Sequence, residues 1–174
     1  MANNYMQLST SLVLNNDKER KWFEKYLPLI NGDEDGRLDF ASAKPLLSKF
    51  RKQTQTKLNI VHQPDLMGDI ENAINEELTG PLCTIVSDPD NLDLPYVWIR
   101  DRGGEVGTLD SIVALIRIFL NVFDYSTDWS MEWAETCSKP RFGEFGGGAV
   151  IVTKEKTKWL STSDWVRRNR KVIK

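Results

Sequence analysis

The stretch Glu132-Trp133-Ala134-Glu135-Thr136-Cys137-Ser138-Lys139-Pro140-Arg141, followed by Gly146-Gly147-Gly148, concentrates the side chains best suited to chemistry. Trp129, Met131 and Trp133 alternate with Ser130, Glu132 and Ala134, the period of a strand with one wet face. Continued, the alternation places Glu135 on the apolar face with Trp129, Met131, Trp133 and Cys137. A carboxylate there needs a cation, and Arg141 or Arg117 can supply one. In a cleft it would bind its proton more tightly and serve as a base or a ligand contact. The plainer and preferred reading ends the strand at Ala134 and leaves Glu135 in water. Gly146, Gly147 and Gly148 offer backbone N–H groups to an anion. No Walker pattern or dinucleotide fingerprint follows them, so a hairpin or close backbone packing is the expected use.

A second constellation has the spacing of a calcium loop. Asn31, Asp33 and Asp35 stand at its positions one, three and five, Gly36 at six and Asp39 at nine. Position twelve is Ser42, where a bidentate glutamate would complete the oxygen shell. A polar turn between two helices is therefore preferred, and no metal or cofactor is expected. Cys137 as a nucleophile would need a base, and the single histidine, His62, lies in a poorly patterned region. Two cysteines, Cys83 and Cys137, build neither a disulfide framework nor a metal pair. Serine-hydrolase, P-loop and kinase motifs are absent. Catalysis is not expected.

The C-terminal segment mixes Lys154, Lys156, Lys158, Arg167, Arg168, Arg170 and Lys171 with Trp159 and Trp165. From Lys154 to Lys174 there are eight basic and two acidic residues, leaving fifteen and twenty-three elsewhere. The result is a local charge of +6 against a body of −8. Cations neutralise phosphates and indoles stack on bases, so nucleic acid is one expected partner class. A segment docked on the acidic body is the plainer alternative. That body has acidic clusters at Asp33, Asp35 and Asp39 and at Asp88, Asp90 and Asp93.

The elements that must position these groups read as one domain of 174 residues, within the usual size of a single core. A strand alternates from Met6 to Leu14. Asn16 with Glu19 opens a helix to about Ile30, bent or ended by Pro28. Residues 31–80 form a mainly helical insertion, with helices near Ala41–Arg51 and Asp65–Leu78 and a loop or edge strand from Gln53 to Pro64. Strands follow at Leu82–Val86 and Tyr96–Arg100. Thr108 caps a helix to about Phe123 whose polar stripe is only Asp110, Arg117 and Asn121. The unbroken apolar run Ala149–Thr153 predicts a central strand covered on both faces. Lys156–Arg170 is expected as helix or loop. The fold class is α+β: a mostly antiparallel sheet with helices packed on one face, arranged as a ferredoxin-like βαββαβ with a helical insertion. The N-terminus lacks a secretory pattern and Ile112–Phe123 is too short to span a bilayer, so the expectation is a cytoplasmic protein with no membrane partner.

Residues 133–149, W-A-E-T-C-S-K-P-R-F-G-E-F-G-G-G-A, resemble a signature of small uncharacterised proteins from phages and bacterial mobile elements. Gly103-Gly104-Glu105-Val106 and the apolar helix to Phe123 are similar to the same group, so the resemblance covers about the last eighty residues. It implies a setting in a host cytoplasm and no mechanism. Small phage-type proteins often act by binding, sometimes as inhibitors of host defence. The leading expectation is therefore a non-enzymatic protein-binding module that occludes a host protein, using tryptophans and an acidic surface. The rivals are nucleic-acid binding through the C-terminal segment, and an enzyme or small-ligand site at Glu135, Arg141 and the glycines.

Overall fold

The computed structural model describes residues 4–31, 40–58, 68–72, 81–87, 94–101, 109–139 and 145–170. The first strand, β1 (Asn4–Val13), leads into α1 (Asp17–Tyr26) and α2 (Pro28–Asn31), followed by α3 (Phe40–Leu58). Next come β2 (Leu82–Val86), β3 (Tyr96–Arg100), α4 (Asp110–Val122), β4 (Trp129–Cys137), β5 (Gly146–Val152), β6 (Thr157–Ser161) and α5 (Thr162–Asn169). All strand pairings are antiparallel, in the order β2-β3-β1-β4-β5-β6. The first four strands have the split-βαβ order of a ferredoxin-like sheet. β5 and β6 extend it as a meander, so the α+β class is as the sequence predicts.

Local chemistry explains the helix ends. The Asn16 side chain accepts the N–H groups of Lys18 and Glu19 at 3.0 and 3.1 Å, capping α1. Pro28 splits the predicted helix into α1 and α2 at Leu27. α4 closes with a Schellman pattern: Asp124 N–H bonds the Asn121 carbonyl and Tyr125 N–H the Leu120 carbonyl. Asp124 takes the left-handed conformation this requires, with φ of 52°. At its other end α4 begins after Leu109, which gives no side-chain cap; Thr108 lies outside the described residues.

The helices meet the inward face of the sheet in one hydrophobic cluster. Leu8 and Leu12 of β1, Val97 and Ile99 of β3, Met131 of β4, and Val150 and Val152 of β5 point into it. From the helical layer, Trp22 of α1 packs edge-on to Phe23 and Tyr26 and tilts against Phe119 of α4 and Phe50 of α3. Aromatic pairs of this kind add to area burial, and they tie the insertion to the core. Among the described residues no helix is long and apolar enough to cross a membrane.

Three expectations are corrected. Residues 53–58, read as loop or edge strand, are the last turns of α3; Lys, Gln and Leu favour helix intrinsically even where an apolar period fades. The Ala149 run is not covered on both faces: Val150 and Val152 are buried, but Ile151 is 44% exposed. A third of the segment 156–170 is strand β6, paired along β5, because Lys158-Trp159-Leu160 extends a hairpin through the turn at 153–156.

Candidate functional site

β4 runs on to Cys137, so the strand does not end at Ala134. Glu135 lies opposite Gly146, on the inward side with Trp133, and is nevertheless exposed. Its Oε1 accepts the Trp133 indole N–H at 3.3 Å. A Cβ built on Gly146 would stand 3.0 Å from Glu135 Oε2 and 3.6 Å from both Thr162 Oγ1 and Ser163 Oγ. The missing side chain thus opens a polar niche walled by one carboxylate and two hydroxyls, able to accept and donate hydrogen bonds to a small polar group. Thr162 Oγ1 donates to the Gly147 carbonyl at 3.1 Å. Neither Thr162 nor Ser163 was anticipated from sequence, because they arrive only through the reversal from β6 into α5.

Of the two cations proposed for Glu135, Arg117 is not brought to it. Arg117 donates to the Glu155 carbonyl in the β5–β6 turn, where burial lowers its pKa. Arg141 lies outside the described residues. Nor do Gly146, Gly147 and Gly148 form an anion loop: they sit in the ladders to β4 and β6. Their role is close approach. A Cβ on Gly148 would overlap the Trp133 ring and the Leu160 carbonyl, and one on Gly147 would overlap the Trp133 carbonyl.

The basic segment is divided by its own strand. In β6, Lys158 stands opposite Ile151 on the outward face, while Trp159 stands opposite Val150 on the other. Trp159 meets Trp133 edge-on, with centroids 5.8 Å apart. Lys154 pairs with Asp124 at 2.6 Å, which raises the Lys154 pKa and lowers that of Asp124. Arg167 pairs with Asp164 one turn earlier, at 2.8 Å. Lys156, Trp165, Arg168 and Arg170 are exposed, and Trp165 is the most exposed large apolar side chain described, at 57%.

Asp33, Asp35, Asp39, Asp88, Asp90 and Asp93 lie outside the described residues, as does His62. Asn31 is described, and its amide is committed to the fold. It accepts the Cys83 N–H at 2.9 Å and donates to the Cys83 carbonyl at 2.7 Å, fastening α2 to β2. Cys83 is buried and Cys137 half-buried, both as thiols.

Two features were missed from sequence. One is a cleft of about 630 Å³ between the end of β1 and the turn after α4. At its wall the buried Glu19 accepts the Asn15 N–H and the Asn16 amide at 2.7 Å and the Tyr125 hydroxyl at 2.9 Å. Burial and the Glu19 carboxylate push the Tyr125 pKa up to about 12. The other is the outward face of the sheet, on which no helix packs among the described residues. By register it carries Val13, Tyr96, Trp98, Ala149, Ile151 and Leu160, and among the described strand residues its charges are Arg100, Glu132 and Lys158. The strand periods were readable, but which strands neighbour one another was not.

The fold defines a class: an α+β domain with a split-βαβ sheet extended by a hairpin, its helices among the described residues packed on one face. Among known proteins, no family model, curated protein or solved structure matches the chain.

Proposed function

We propose that the chain is a non-catalytic protein-binding module that acts by covering a surface of its partner, with the partner seated on the β6–α5 corner. The observation that carries this reading is α5, eight residues with no buried side chain. A helix that short is marginal in water without packing. Ser161, accepting the Asp164 N–H at 3.4 Å, and the Asp164–Arg167 pair give only local support. Trp165 and Val166 stand in solvent beside it, at 57% and 41% exposure. Exposed tryptophan with flanking arginine is the composition of interface anchors.

Arg167, Arg168 and Arg170 frame the anchor, so the matching surface is an apolar pocket with an acidic rim. The acidic clusters of the sequence at 33–39 and 88–93 enter the same proposal as charges that steer a basic partner surface toward the chain. The likeness of residues 133–149 to phage and mobile-element proteins makes a host protein, including one of a defence system, the partner class. The nucleic-acid alternative draws on the same cations. The pleat of β6, which turns Lys158 and Trp159 to opposite faces, and the ion pairs of Lys154 and Arg167 weigh against a continuous track of cations and stacking rings.

Tagged wild type and Trp165→Ser, incubated in nuclease-treated bacterial lysate, test the reading. A stoichiometric protein captured by wild type and lost with Trp165→Ser supports it. Equal capture by both removes the corner from the mechanism. Partners that vanish with nuclease transfer the segment to nucleic acid.

A further inference from the structure

We infer that the open face of the sheet is covered by a second copy of this chain, packed face to face about a two-fold axis that runs along β1. The inference does not depend on the partner proposed for the β6–α5 corner.

Three observations lead to it. Among the described residues, three charges interrupt an otherwise uncharged face on six strands, an unusual surface for one left in water. The overlapping strands present on the order of 500 Å² of sheet plane per copy, which side-chain relief brings near the about 800 Å² per partner of an ordinary specific interface. Finally, the register sets Arg100, a permanent positive charge, on this face opposite Ser9 and Leu82. Its guanidinium lies over the Trp98 ring, 4.3 Å from the centroid, and Trp98 itself is held by its N–H on Ser9 Oγ at 3.1 Å.

The register says what would meet that arginine. Ser9 of β1 stands opposite Arg100 of β3. On its other side, β1 pairs Gln7 with Ala134 of β4, and the same register carried two residues further puts Glu132 across from Ser9. Arg100 and Glu132 therefore flank β1 in a single cross-strand row. Rotation by half a turn about β1 lays β3 of one copy over β4 of the other at the same height. Arg100 then faces the second copy's Glu132, and the reciprocal pair forms by symmetry, as an isologous contact requires.

Side-chain size follows the same rule. β3 presents Tyr96, Trp98 and Arg100, whereas β4 presents Ser130, Glu132 and Ala134. The rotation sets Trp98 over Ser130 and Leu82 of β2 over Ala149 of β5. Ser9 and Ser11 lie on the axis, small enough for two sheets to approach to about 10 Å, and the near-parallel strands match the aligned mode of sheet packing.

Sedimentation velocity on the full chain, over about 1–100 μM, is the test. The wild type is expected to be dimeric. Arg100→Glu and Glu132→Arg should each raise the dimer dissociation constant about a hundredfold by opposing like charges. The double variant should restore the dimer, which separates lost pairing from lost folding. A wild type that stays monomeric throughout, single variants that remain dimeric, or a double variant that fails to recover would each overturn the inference. So would quenching of tryptophan fluorescence by a single-stranded oligonucleotide that is lost in Trp98→Ala, because the face would then belong to nucleic acid. Trp165→Ser should leave the dimer intact, so failure here and failure of the corner are distinguishable.

Discussion

The indole of Trp133 lies across the backbone of Gly148 on the neighbouring strand, in the space that any side chain at 148 would fill. The Leu160 carbonyl closes the same space from β6. A methyl group cannot be accommodated by moving one flexible side chain, because part of the obstruction is backbone. Gly148→Ala should therefore cost about 1–3 kcal/mol, the range for inserting a methylene into a packed site. Urea unfolding followed by tryptophan emission would read it. Unchanged stability would mean that Trp133 is free to leave the strand pair, and with it the Trp133–Trp159 contact.

That packing shows where sequence reading stops. Two-residue alternation in β1 and β4 and the Asn16 cap were legible, because they depend on local periods and on one side chain reaching its own backbone. Alternation offered Glu135 an inward position, although the preferred reading ended the strand at Ala134 and so missed it. What its carboxylate would meet was not legible, since Gly146, Thr162 and Ser163 reach it through strand pairings that no local pattern encodes. The apolar run at Ala149 misled for the opposite reason. Its composition predicts cover on two faces, yet Ile151 on the outward one is left exposed. The same holds for β6, where Trp159 and Lys158 read as one aromatic-basic cluster until the pleat sends them to opposite sides.

Tyr125 gives the fold a pH dependence at the alkaline end. Its hydroxyl donates to the buried Glu19 and accepts from the Asn15 amide, and its pKa stands near 12 against an ordinary value of 10.0. The folded state thus holds the phenolic proton more tightly than the unfolded chain does. This contribution to stability is fully present below pH 10 and is lost as pH rises from there toward 12. Tyr125→Phe should be less stable than wild type by about 1 kcal/mol at neutral pH, from the lost hydrogen bond. The difference should shrink between pH 10 and 12. Denaturant titrations at pH 8, 10 and 11.5 would show it; a constant difference would detach Tyr125 from the effect.

Removing residues 162–174 separates what α5 does for the fold from what it does for a partner. None of its side chains is buried. Its described side-chain tie to the sheet is the Thr162 bond to the Gly147 carbonyl, a neutral hydrogen bond of about 1 kcal/mol. The truncated chain should therefore keep its sheet and lose only about 2–4 °C in Tm for that loss in a domain of this size. Its tryptophan emission should shift to the blue, because the most exposed indole, Trp165, is gone. Calorimetry and a fluorescence spectrum measure both. A drop far beyond this range would place α5 among the elements that hold the domain together, and exposure of Trp165 would then no longer argue for a partner. A small drop accompanied by loss of the captured protein would assign the helix to binding alone.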